Sequence, residues 1–144
     1  MKKLSKILFW ILSFTWGLPV TLVGLITTAV LMCCGKKPKQ NMYGYAIEIG
    51  KGWGGLEMGP FCLVSANPSR HTLNHEFGHG IQNCYFGPFM IFISLASAIR
   101  YWYREYLIRI KKMKYSDLPP YDSIWFEGDA TRIGNMYYEE LSKR

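Results

Sequence analysis

The sequence predicts an α+β protein, mainly helical: an N-terminal transmembrane helix, a short β-hairpin, a pair of helices carrying clustered histidines and carboxylates, and an apolar membrane-associated helix. Three observations predict it. Ile7 to Met32 is a run of 26 residues without a charge. Residues 43–65 mix strand formers with glycine-rich turns. The three histidines follow one another at four-residue spacing in a stretch with clear helix signals. At 144 residues the chain makes one domain at most, and 49% hydrophobic with 16% aromatic residues is high for so short a chain.

The uncharged run is long enough to cross about 30 Å of hydrocarbon with some tilt. Trp10 and Trp16 sit in its first half, and Pro19 can kink it. Lys2, Lys3 and Lys6 would suit a signal peptide, but the apolar run exceeds the 7–15 or so residues of a signal core, and Thr27-Thr28-Ala29 is a poor cleavage site deep inside it. Residues 1–35 are therefore expected to be a transmembrane anchor, and 36–144 a minimal membrane-associated domain. Cys33 and Cys34 carry a weak hint of acylation. Cys62 and Cys84 have no metal spacing and read as buried thiols rather than a disulfide.

After the basic linker Lys36-Lys37-Pro38-Lys39, Tyr43 to Ile49 reads as one strand and Leu56 to Ser65 as a second, interrupted at Gly59-Pro60. Together they predict a hairpin. An open strand edge beside the next helix could pair with an extended peptide through main-chain hydrogen bonds; a hairpin that only covers the helix fits the sequence equally well.

That helix is expected over residues 68–85, with Asn67 as N-cap, Pro68 at its first position and Gly87-Pro88 as its stop. It carries His75-Glu76-Phe77-Gly78-His79, an H-E-x-x-H pattern. Four residues advance a helix by about 6 Å and return the side chain to the same face, so two imidazoles can share one metal ion. Glu76 points slightly off that face, where it can act as a base without being a ligand. His71 extends the row, but about 12 Å of helix rise separates it from His79, against zinc–nitrogen bonds of about 2.0–2.1 Å. A third ligand must come from elsewhere.

Phe86 to Tyr103 follows, with an uncharged part from Phe89 to Ile99 that is short for a full span. Arg100, Arg104, Arg109, Lys111, Lys112 and Lys114 come next, with only Glu105 against them, and account for much of the net charge of +7. Basic residues directly after an apolar helix favour anionic lipid head groups as the partner over nucleic acid, which is not expected.

A helix beginning near Ser123 puts Glu127 and Thr131 on one face. Glu127 is the expected third ligand: two neutral histidines and one carboxylate leave Zn2+ an open position, as in catalytic sites. Asp122, in a loop, and Asp129, facing away, are the competitors. The histidines also set a topological constraint. Were residues 86–103 to span the membrane fully, Glu127 would emerge about 30 Å from the histidines. Either that segment does not cross, or the metal helix is itself sunk in the membrane; a site at the membrane interface, on the cytoplasmic side, is expected.

HEFGHGIQ followed by WFEGDAT resembles the gluzincin class of zinc metallopeptidases, in which a second helix bearing E-x-x-A or E-G-x-A supplies the third ligand. TWGLPVTLVGL, GGLEMGPFCLVS and TLNHEFGHGIQNCYFGPF, with the late glutamate helix, resemble small bacterial membrane proteins, which implies the bacterial inner membrane. The resemblance implies a zinc-peptidase-like domain with His75, His79 and Glu127 on Zn2+, Glu76 as catalytic base, and a peptide or protein substrate. Where many gluzincins place Asp four residues after the ligand glutamate, this chain has Thr131; its hydroxyl can still bond the imidazole but adds no charge, and Asp129 could take over that task. For stabilising the transition state, the candidates are His71, Tyr137 and Tyr138. A noncatalytic zinc-binding membrane protein with a binding or assembly role is the alternative.

Overall fold

The Ser5 hydroxyl accepts from the Leu8 N–H and starts helix α1 (Lys6–Phe14). Helix α2 (Leu18–Cys33) begins after three intervening residues, with Pro19 in its first turn, where a missing N–H costs nothing. The computed structural model describes residues 3–143, so Lys2 lies outside the described residues. The single N-terminal helix expected over Ile7–Met32 is instead two helices, bent by 95°. The physical reason is Pro19, which has no N–H to bond the carbonyl four residues back and so starts a new helix instead of continuing the old one. Both halves pack onto the rest of the chain. Phe9 is fully buried with its ring 5.6 Å from that of Phe77, and Val20 joins Ile47, Met58, Leu63 and Met90 in a second cluster. The residues expected to form an anchor therefore share their core with the remainder of the protein.

Four short strands follow: β1 (Lys39–Asn41), β2 (Gly44–Glu48), β3 (Gly55–Met58) and β4 (Phe61–Val64), in the order β1-β2-β4-β3. The hairpin expected between 43–49 and 56–65 is thus replaced by a mixed sheet. Gly59-Pro60, read as an interruption, is a turn with Gly59 at φ +72°. Beyond it β4 folds back on β3 and pairs in parallel with β2, from Tyr45 opposite Phe61 to Glu48 opposite Val64. β3 is left at the edge.

Helix α3 (Arg70–Phe86) is capped by Ser69, whose hydroxyl accepts from the Thr72 N–H at 3.0 Å; Asn67, the expected cap, takes a left-handed turn at φ +57° instead. It stops at Gly87, φ +55°, and after one 3-10 turn α4 (Met90–Arg109) begins. By length and composition, the helical run Arg70–Arg109 is apolar enough to cross a membrane and is mostly exposed; α1 and α2 meet the same criterion only if the bent pair is taken as one span. The Arg70–Arg109 run is not one straight rod. The Ser97 hydroxyl donates to Glu127, whose other oxygen is 3.1 Å from His79 Nε2, whereas 18 further residues of straight helix would carry Ser97 about 27 Å from His79. α4 therefore folds back at Gly87.

Helix α5 (Trp125–Leu141) packs along α3 in the most extensive contact between any two elements described. Two glycines allow it. A Cβ on Gly78 would stand 1.9 Å from the Ala130 carbonyl oxygen, and one on Gly134 1.8 Å from that of Asn74, so the backbones touch at two points. That approach brings the first turn of α5 against the histidines of α3. The segment leading into α5 is held to α4 by Arg100, which donates to the carbonyls of Pro120 and Tyr121 and to the Ser123 hydroxyl at 2.9–3.0 Å. Arg104 also turns inward, to the Pro119 carbonyl, leaving Lys111, Lys112 and Lys114 as exposed cations. Cys62 and Cys84 are buried free thiols; Cys33 and Cys34 are exposed.

Candidate metal centre

One helical turn separates His75 from His79, and their Nε2 atoms approach to 3.2 Å. Glu127, fully buried at the third position of α5, sets Oε2 3.1 Å from each. A carboxylate in the first turn of a helix also gains from the helix dipole.

The hydrogen bonds behind these groups fix which atoms face inward. His75 Nδ1 is 2.8 Å from the Thr131 hydroxyl, which in turn donates to Asp122 Oδ2 at 2.8 Å. With its own proton committed, that hydroxyl accepts, so Nδ1 carries the hydrogen and Nε2 a lone pair. His79 Nδ1 lies 2.8 Å from Gln82 Oε1, and the Gln82 amide is oriented by donating to the Phe126 carbonyl, also at 2.8 Å. With a metal bound, His79 Nε2 would offer a lone pair too; without one, burial opposes a proton there but the Glu127 hydrogen bond and the charges of Glu76, Glu127 and Glu57 raise His79 to about 9. Burial pushes the Glu127 carboxyl up, but both imidazoles and the Ser97 hydroxyl outweigh it and hold it well below the usual carboxylate range. Three electron-pair donors thus converge at 3.1–3.2 Å from one another. Two things can offset their mutual repulsion: a cation at the centre, or a proton on one Nε2 shared with Glu127; protonating both Nε2 atoms would set two imidazolium charges against each other.

The triangle also fits a metal by size. Tetrahedral zinc with bonds of about 2.0–2.1 Å places its ligands about 3.3 Å apart. Among the described residues, His75, His79 and Glu127 are the group of His, Cys, Asp and Glu able to share an ion, and their backing partners are those a bound metal needs.

A cleft of about 510 Å³ opens onto this triangle between the β3 edge and α4. Glu76 lines it and is buried, beside the histidines but outside the donor triangle. His71 lies at the rim, exposed, its ring stacked on that of His75 at 6.2 Å and its Nε2 3.9 Å from Asp122. Three expectations are corrected. Asp129 does not orient a histidine; it pairs with Arg132 on the surface, and Asp122 reaches His75 through Thr131 instead. Tyr137 is in the core, its hydroxyl accepting from the Leu4 N–H at 2.6 Å, and Tyr138 lies under the Arg70 guanidinium at 4.8 Å; neither lines the cleft.

Tyr121 does line it, with its ring 6.4 Å from that of His75. Burial, with the charges of Glu127 and Glu76, pushes its phenol far above the usual range against the pull of Arg100 and Arg104, so at neutral pH it is a hydrogen-bond donor. Its signal in the sequence was Pro119-Pro120, which fixes the approach to α5. Glu57 was missed as well. Its carboxyl accepts from the Gly59 N–H, while Oε2 is buried without a partner among the described residues. Burial pushes it up to about 7, the charge of His79 and the Gly59 bond opposing and Glu76 adding. The signal was a glutamate at a strand position that should bury an apolar side chain. No protein-family model, curated protein or solved structure matches the chain.

Proposed function

We propose that the protein is a membrane-bound zinc-dependent metallopeptidase. The observation that carries the proposal is the inward-facing triangle of His75 Nε2, His79 Nε2 and Glu127 Oε2, with Glu76 next to it in the same cleft. Zinc held there would act as a Lewis acid toward a carbonyl and lower the pKa of water. Glu76 takes the proton of the attacking water and returns it to the leaving nitrogen as the C–N bond breaks. Tyr121 donates to the carbonyl oxygen as charge develops on it.

The edge of β3 supplies a place for the substrate backbone. Gly54 accepts from the Ser65 N–H, so in an antiparallel ladder the main-chain groups of Gly55 and Glu57 point away from β4, and no strand occupies that side. Membrane attachment is supported by apolar side chains left in the open on three helices. Ile7 and Ile11 on α1, Val23, Ile26 and Val30 on α2, and Phe92, Leu95, Ile99 and Trp102 on α4 are all exposed, and large exposed apolar faces mark contact with a membrane or a partner. The fold-back of α4 keeps Glu127 beside the histidines, which supports a site at the membrane interface; Lys111, Lys112 and Lys114 would meet anionic head groups there.

The test is the metal content of the detergent-purified protein beside His75→Ala and Glu127→Ala. About one zinc per chain, lost in both variants, is expected. Zinc-loaded Glu76→Gln should keep the metal and lose hydrolysis of a peptide library; retained turnover would sink the mechanism. The second reading, a noncatalytic zinc-binding membrane protein, is favoured by the uncharged Thr131 behind His75, and zinc bound without any hydrolysis by the wild type would select it.

A further inference from the structure

The lining of the cleft is mixed. His71, Thr72 and Asp122 give it a polar rim where His71 is exposed, and Ser94, Ser97 and Tyr101 line it from α4. Leu56 of β3 with Ala98 and Trp102 of α4 are its exposed apolar members, an apolar lip. Leu56 is 46% exposed and Trp102 68% exposed, so this lip is open rather than sealed. Trp102 also belongs to the outer apolar row of α4, since Leu95, Ile99 and Trp102 recur at helical spacing along one exposed face. The apolar lip of the cleft and the outer surface of α4 are therefore one continuous surface.

Two further features narrow what such a mouth admits. In a chain with a net charge of +7, not one lysine or arginine lines the cleft, so no cationic side chain there selects an acidic peptide. The main chain of Gly55 and Glu57 borders the same opening, and it accepts an extended backbone whatever its side chains.

We infer that the substrate is an apolar, extended stretch of polypeptide that enters from the lipid phase between β3 and α4, sliding over Leu56, Ala98 and Trp102. This rests on the membrane-bound peptidase reading and adds to it the substrate class and its route. A helical segment in the bilayer has every backbone group bonded internally, so it must unwind to reach the site, and pairing with β3 replaces the bonds it gives up. A water-soluble peptide meets the polar rim instead and gains nothing from the lip.

The test uses the full chain as zinc-loaded Glu76→Gln, in vesicles of phosphatidylcholine and phosphatidylglycerol, with a photoreactive residue in place of Leu56. Two probes of equal length, about 20 residues, are compared: a leucine-alanine peptide with lysine ends that inserts into the bilayer, and a glycine-serine-threonine peptide that stays in water. The membrane peptide is expected to cross-link at least about tenfold more, and Trp102→Glu or Ala98→Glu to remove most of that difference, since each sets a charge on an apolar path. Both positions are exposed, so neither change threatens the fold, and zinc content is measured on each preparation. Equal capture of the soluble peptide, no effect of either charge, or no cross-link on zinc-loaded protein would overturn the lateral route while leaving the metal site standing. Loss of zinc in the parent protein would sink the peptidase reading itself and this inference with it.

Discussion

The Thr131 hydroxyl lies 2.8 Å from Nδ1 of His75 and passes its own proton toward Asp122, so a carboxylate supports the histidine at one remove. Thr131→Val should therefore lower zinc affinity by about 10–100-fold, the usual cost of losing such a partner. Asp122→Asn should have a smaller effect in the same direction. Competition against a chelator measures both, and an unchanged affinity in Thr131→Val would show that the relay does not matter.

Gly78→Ala and Gly134→Ala should each force α3 and α5 apart, because a methyl group at either position would overlap a carbonyl oxygen of the facing helix. Overpacking of this kind costs about 1–3 kcal/mol, and more where backbone meets backbone. The expected result is a lower melting temperature together with weaker zinc binding, since Glu127 moves with α5. An alanine variant with wild-type zinc affinity would mean the ligand geometry does not depend on that contact.

Spin labels placed at Thr72 and Trp102, with the native cysteines replaced, test the fold-back at Gly87. Both residues line the same cleft. Were α3 and α4 one straight rod, the intervening 30 residues would separate them by about 45 Å. The distance measured by pulsed electron resonance should be well under half of that.

Glu57 makes the metal-free protein sensitive to pH. Its pKa rises from 4.5 to about 7 on folding. Between those values the native state keeps a proton that the unfolded chain has released, so stability is fully present below pH 4.5 and falls as pH rises through 7. The loss attributable to this residue is about 3 kcal/mol. Urea unfolding in chelator at pH 5 and pH 8 should show wild type losing more stability than Glu57→Gln over that interval; parallel losses would contradict it.

What could be read from the sequence was local. The i, i+4 histidines, the offset Glu76 and a glutamate on a later helix follow from helical period and residue chemistry, and the structure brings His75, His79 and Glu127 together. What could not be read depended on long-range approach. For Asp122 the sequence shows only a loop position that competes with Glu127, because its link to His75 through Thr131 exists only when α5 lies on α3. The parallel pairing of β2 with β4 joins segments that the intervening β3 hides. Trp16-Gly17-Leu18-Pro19 held the signals for a break, yet composition over the whole run from Ile7 to Met32 still reads as one span. Gly87, read as a stop, is also where α4 reverses, and a positive φ is invisible until the chain is folded.

Phe9 lies against Phe77, on the same helix that presents the histidines, and no solvent reaches it. The N-terminal segment is therefore no detachable tether. Clipping it away would strip the back of α3 down to Phe77 and Ile81 and yield an aggregating remnant. Proteolysis ahead of residue 36 would therefore dismantle the core instead of releasing an independent domain.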